Sequence, residues 1–188
     1  EQDDTVIYCQ WERWMKSSMN SSVEVTSKRG TTTLTSVINI PAAKEDVWEV
    51  LKFPGRVEEF HPLIKKSFMI TDAPNGIGAR RHCDLLPMGA MDEVVTEWDE
   101  GNAFTIEVMG GEMLPPHHFM KGRFELKALG KERTQVTFSF SYQLKYGFLG
   151  RLMDIWLIRP QFKKAPPQYV QGLKTYIENR QATHSSFS

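Results

Sequence analysis

Residues 134–146, TQVTFSFSYQLKY, set Val136, Phe138, Phe140, Tyr142, Leu144 and Tyr146 on one parity and Thr137, Ser139, Ser141, Gln143 and Lys145 on the other. Successive strand residues point to opposite faces, so this stretch is predicted as a strand with one apolar and one wet face. The residues after it change period. Leu149, Leu152, Met153, Trp156 and Leu157, and later Tyr169, Val170, Leu173, Tyr176 and Ile177, recur at helical spacing and predict a long closing helix over 148–180. Pro160 and the pair Pro166-Pro167 would remove backbone hydrogen bonds from an unbroken helix, so one or two kinks or a short break are expected.

Upstream, segments 65–71, 79–86, 91–98, 104–109 and 119–129 are separated by the turn signals DAPNG, PMG, DEGN, GGEMLPP and GKE, and read as antiparallel strands. Parity puts Phe104, Ile106 and Val108 on one inner face, and His118, Met120, Gly122, Phe124 and Leu126 on the inner face of the next strand. Residues 34–40 form an earlier strand ended by Pro41. PAAKEDVWEVLKF then gives an amphipathic helix, and a second short helix follows over 56–64 with Val57, Phe60 and Ile64 on one side. The order is strand, two short helices, six strands, long helix: an α+β fold with about seven antiparallel strands. Before it, Ile7, Trp11, Trp14 and Met15 fall on one face of a short amphipathic helix, followed by a Ser/Thr-rich connector over 17–35. The expected organisation is an N-terminal extension over 1–30, one domain over 31–180 and a disordered tail over 181–188.

In 188 residues, 23 basic side chains balance 23 acidic ones and 40% of residues are hydrophobic. That supports a sizeable core and supplies no general positive field for nucleic acid. The apolar runs stop short of the roughly 18 residues of a membrane-spanning helix, so no stable membrane insertion is expected. Cys9 and Cys83 lack the spacing of a disulfide framework or a zinc site. A reducing, cytoplasmic setting follows as the expectation. No GxSxG, P-loop, GxGxxG or HExxH pattern occurs, which disfavours nucleophilic, nucleotide and metalloenzyme readings, and no cofactor or metal is expected.

The order of elements resembles the helix-grip fold of the SRPBCC/START-like (birch-pollen-allergen-like) superfamily, and most nearly its bacterial polyketide cyclase/dehydrase-type members. SVINIPAAKEDVWEVLKFP is similar to that family's opening strand and Trp-bearing helix, GARRHCDLL and DEVVTEWDEGNAFTIEV to its central hairpin, and LGRLMDIWLIRPQF to the start of its closing helix. The resemblance spans residues 31–178. It implies a curved sheet wrapped around the long helix, with an internal cavity for an apolar or aromatic small molecule.

Candidates to line such a cavity are Phe60, Cys83, Phe104, Ile106, His118, Met120, Phe124, Phe138, Phe140, Tyr142, Met153, Trp156 and Phe162. Of His117 and His118, parity with Phe124 turns His118 inward. Arg81 and Cys83 share a face opposite to His82, so either the pair or His82 faces the interior. The acidic run Asp92, Glu93, Glu97, Asp99 and Glu100 reads as a solvated face with partners such as Lys121 or Arg123. Two functions follow as expectations. One is binding or transport of a lipid, quinone or polyketide-like aromatic; the other is an aromatase/cyclase or dehydratase for a poly-β-carbonyl chain, with His118 moving a proton and Arg81 or Tyr142 stabilising an enolate. A third is an interaction module whose groove is filled by the Trp11/Trp14 helix. The expected partner is a hydrophobic small molecule, and the chain is a monomer or a homodimer.

Overall fold

The computed structural model describes residues 22–185. The helix expected over 5–19 and Cys9 lie outside them. One antiparallel sheet runs in the order β1-β2-β8-β7-β6-β5-β4-β3. Its strands are β1 Val23–Lys28, β2 Thr31–Ile40, β3 Ile64–Met69, β4 Arg80–Leu85, β5 Ala90–Asp99, β6 Ala103–Glu112, β7 His117–Gly130 and β8 Arg133–Leu144. Helix α1, Lys44–Leu51, and a 3-10 turn, Pro54–Glu59, connect β2 to β3. After β8 come α2, Gly147–Met153, a π-helical turn, Asp154–Ile158, then α3, Arg159–Phe162, and α4, Ala165–Ser185.

The sheet has eight strands where about seven were expected. The additional one, β1, lies inside the stretch read as an exposed connector, and so within the expected N-terminal extension. It pairs with β2 from Val23↔Ser36 to Lys28↔Thr31. The two residues between, Arg29 and Gly30, have φ of 51° and 83°, the left-handed geometry of a two-residue hairpin turn whose twist matches that of its strands. β1 is an edge strand with only Val23 and Val25 half-buried, so its Ser/Thr-rich composition hides it from hydrophobic patterning.

The closing helix breaks between Phe162 and Ala165. Pro160 sits in the first turn of α3 and Pro166-Pro167 in the first turn of α4, where missing N–H groups have no intrahelical partner to lose. α4 runs to Ser185, so the tail expected to be disordered from 181 is helical that far. β8 stops at Leu144. Tyr146, expected on the apolar face, is exposed with φ 71° and leads into α2.

The core lies between the sheet and α4. Phe104, Phe124 and Phe138 are direct cross-strand partners on β6, β7 and β8, and their rings stack with centroids 4.9 and 4.4 Å apart. Tyr169 of α4 closes over Phe124 and Phe138, 4.8 Å from each. Such pairs add stability beyond the area they bury. α4 approaches the 3-10 turn closely because Gly172 has no side chain: a Cβ there would lie 2.0 Å from the Phe60 carbonyl oxygen. At the other end of the core, the Trp48 and Trp98 indoles both donate to Glu100, at 2.8 and 2.7 Å. One member of the acidic run therefore ties α1 to the β5–β6 turn.

Candidate functional site

At the N-terminal end of α4, a cavity of about 360 Å³ opens between the inner face of β4–β8, the 3-10 turn and the helix. Its wall is formed largely by Ile106, Val108, Met120, Phe124, Phe138, Phe140 and Phe162. Leu86, Met88, Met113 and Gln161 line it too but are exposed, and so mark its mouth. Gly122 widens the wall: a Cβ there would meet the Phe138 ring at 2.8 Å.

Besides Gln161 at the mouth, four buried polar side chains reach this apolar space: His61, Arg81, Glu93 and Tyr169. Arg81 and Glu93 are directly opposite on β4 and β5. Arg81 Nε donates to Glu93 Oε2 at 2.7 Å and Nη1 to the Pro54 carbonyl at 2.7 Å. The two residues are only 3% and 6% exposed. Burial works against the Arg81 cation, but the adjacent Glu93 carboxylate raises its pKa above the ordinary arginine value. His61 is buried beside them, its ring edge-on to Tyr169 at 4.6 Å. Burial, and then the positive charge of Arg81, pushes its pKa down to about 3, so the ring is neutral. His61 Nδ1 accepts from the Leu63 N–H at 3.2 Å, which assigns the remaining proton to Nε2. Burial raises the Tyr169 hydroxyl to about 12, with Arg81 and Glu93 acting in opposite directions on it. The cluster therefore offers neutral donors from His61 and Tyr169 around a compensated ion pair.

Seven of the sequence-derived residues meet at this cavity: Arg81, Ile106, Met120, Phe124, Phe138, Phe140 and Phe162. Three others are sealed in the surrounding core instead of facing it. Phe60 packs between Tyr169 and Tyr176, and Phe104 among Trp48, Trp98 and Phe124. Cys83 is fully buried with Sγ 3.7 Å from Glu93 Oε2, and burial pushes its thiol up to about 12. With Arg81 and Cys83 inside, His82 points out and bonds Asp92 at 2.6 Å.

His118 does not face inward. The β7–β8 register slips between His117 and Phe119, so the parity that holds from Met120 to Leu126 fails one step earlier and leaves His118 exposed. The acid/base role expected for it falls with that orientation. Tyr142 is buried, but its hydroxyl donates to Asp154 Oδ1 at 2.5 Å outside the cavity. Burial, and then that bond, raises its pKa. Asp154 also accepts from Thr32 Oγ1 at 2.9 Å and from Arg159 Nε at 3.1 Å. This clamp fastens the π-helical turn to β2 and β8. It turns Trp156, expected in the cavity, out to 73% exposure, and leaves Met153 half-buried away from the cavity.

His61, Glu93 and Tyr169 were missed by sequence reasoning. Glu93 was read as part of a solvated acidic face, which holds for Glu97 paired with Arg123 at 2.6 Å but not for Glu93. The β4–β5 register, which sets Glu93 opposite Arg81, is what brings it inside.

An apolar cavity beside a long helix that packs on an antiparallel sheet defines a helix-grip domain. Residues 31–178 match the family described as polyketide cyclase/dehydrase and lipid transport, and the chain belongs to that family. Among solved structures, a protein from Thermus thermophilus is similar at 18% identity and TM-score 0.64, over 79% of this chain and 98% of that one. A START superfamily protein from Mycobacterium smegmatis has 15% identity and TM-score 0.58, over 79% and 95%. A norcoclaurine synthase point mutant from Thalictrum flavum, bound to a transition-state analogue, has 14% identity and TM-score 0.62, over 85% and 99%. At these identities the likeness establishes the fold alone. No curated protein matches the chain by sequence. Among the described residues, no helix is long and apolar enough to cross a membrane, and no group of three or more His, Cys, Asp or Glu side chains is placed to hold a metal.

Proposed function

We propose that the protein binds and carries a hydrophobic small molecule bearing a neutral hydrogen-bond acceptor, such as a ketone, quinone or ester carbonyl. The observation that carries this reading is the apolar cavity with the His61, Arg81, Glu93 and Tyr169 cluster on its wall. At about 360 Å³ it sits near the low end of the roughly 300–1,000 Å³ common for ligand pockets. That volume suits a ring system or one short acyl chain better than a two-chain lipid. The charge balance also selects. Arg81 is already neutralised by Glu93, so an anionic head would enter an apolar site beside a carboxylate, whereas a carbonyl would accept from His61 Nε2 or the Tyr169 hydroxyl without stranding a charge.

The second reading, an aromatase/cyclase acting on a poly-β-carbonyl chain, draws on the same donors. It is the weaker of the two, because a general acid or base works best with a pKa near the working pH. His61 at about 3 and Tyr169 at about 12 are both driven away from neutrality.

Native mass spectrometry of the purified protein, followed by denaturation, tests the carrier reading. A stoichiometric neutral apolar compound released unchanged is the expected result, with occupancy lost in Val108→Phe, whose ring would fill the cavity. An empty protein that also fails to bind apolar carbonyl probes refutes the proposal, and turnover of a poly-β-carbonyl surrogate would move the assignment to the enzyme.

A further inference from the structure

The segment joining β8 to α4 carries its apolar side chains outward. Phe148, Leu149, Leu152, Ile155, Trp156 and Leu157 are all exposed, Phe148 by 80%. A surface helix normally turns such residues to the core, and a contiguous exposed patch marks an interaction site. The orientation is fixed by the buried Asp154 clamp to Thr32, Tyr142 and Arg159. Charge is segregated in the same place. The chain has formal net charge +0, yet residues 144–168 contain Lys145, Arg151, Arg159, Lys163 and Lys164 against the single acid Asp154. Arg159 occupies that acid, and Lys145, Arg151, Lys163 and Lys164 are exposed. An open cleft of about 420 Å³ beside Phe148 adds Arg29 to Arg151. The run also reaches the mouth of the cavity, through Gln161 and Phe162.

We propose that this face docks the protein onto an anionic lipid surface, with the mouth of the cavity next to the contact. Outward aromatic and aliphatic side chains enter the boundary between headgroups and acyl chains, while the surrounding cations meet anionic headgroups. A second copy fits this face less well, because a two-fold contact would set its cations against their own copies. The purpose of docking, loading and delivering an apolar ligand, rests on the carrier reading, but the docking itself is measured without the ligand.

The test is co-sedimentation of the full chain with vesicles of phosphatidylcholine alone and of phosphatidylcholine mixed with phosphatidylglycerol. The wild type is expected to bind the mixed vesicles and to release from them at high salt. The double variant Trp156→Ser/Leu157→Ser, exposed and outside the cavity, is expected to bind at least about tenfold more weakly. Arg151→Gln/Lys163→Gln/Lys164→Gln is expected to lose the preference for the anionic vesicles. Failure of the wild type to bind either vesicle, or equal binding by the Trp156/Leu157 variant, overturns the proposal. So does a wild-type dimer that this variant splits, which would make the face an interface between copies. Native mass spectrometry of the same variants without vesicles separates the two readings: lost docking with unchanged occupancy supports docking, whereas an empty cavity in a vesicle-bound wild type counts only against the carrier.

Discussion

Replacing Glu93 by Gln would leave the Arg81 guanidinium charged and buried with the Pro54 carbonyl, the Tyr169 hydroxyl and a neutral amide as its partners. With charge centres roughly 4 Å apart and an effective dielectric of about 20, the direct attraction is about 4 kcal/mol. Desolvation of both groups offsets much of that in the wild type, but a variant that removes one partner keeps the penalty and loses the attraction. Breaking a buried pair in this way costs about 3–5 kcal/mol. At roughly 2–4 °C per kcal/mol for a domain of this size, Tm should fall by about 10 °C. Arg81→Met should cost a similar amount, because it strands the carboxylate. The double variant Arg81→Met/Glu93→Leu should return close to wild-type stability, since an apolar pair of similar volume is often neutral or stabilising. Urea unfolding followed by tryptophan fluorescence of the wild type, Arg81→Met, Glu93→Leu and the double variant gives all four corners of the cycle. A loss below about 1 kcal/mol for Glu93→Gln, or additive effects in the double variant, would mean that water reaches the pair and would refute the reasoning. If Arg81 or the donors it positions hold the ligand head, the stable double variant should bind ligand roughly 10- to 100-fold more weakly.

Further outcomes follow from individual side chains. His61 is neutral in the folded protein down to about pH 3 but protonates near 6.5 when unfolded. The unfolded state therefore binds more protons in that window, and stability falls as pH drops below 6.5, by about 1.4 kcal/mol per pH unit from this residue. His61→Asn should flatten the pH dependence of urea stability by that slope between about pH 4 and 6; parallel curves would contradict the assignment. Tyr142→Phe deprives the Asp154 carboxylate of a buried donor and should cost about 2 kcal/mol in urea unfolding while leaving ligand occupancy intact; loss of occupancy without loss of stability would restore Tyr142 to the binding site. Ser36 is fully buried and its hydroxyl has no hydrogen-bond partner among the described residues, so Ser36→Ala should be neutral or stabilising by up to about 1 kcal/mol; a loss of 2 kcal/mol or more would require a partner for that hydroxyl.

The local pattern of the chain was enough to define the sheet's wet and dry faces. The alternation over 134–146 predicted which side chains of β8 point inward, and the same parity correctly grouped Phe104 with Ile106 and Met120 with Phe124. Turn signals between strands then gave antiparallel neighbours. The aromatic wall of the cavity, Phe124, Phe138 and Phe140, was legible from this periodicity because pleat and helical turn are properties of consecutive residues.

The polar half of the site was decided by tertiary structure. Glu93 is inside because pairing sets it opposite Arg81, a relation between strands that composition along one strand does not express. His118 is outside because a single register slip reverses its face. His61 becomes a cavity residue only when Tyr169 arrives from α4, more than 100 residues further along the chain. Trp156 follows the same logic in reverse: helical spacing groups it with Leu149 and Leu152, but spacing cannot say whether the group faces the core. Asp154 settles that by binding Thr32 and Tyr142 on two strands. Periodicity assigns side chains to faces. Which face is covered, and by whom, depends on contacts between residues distant in sequence.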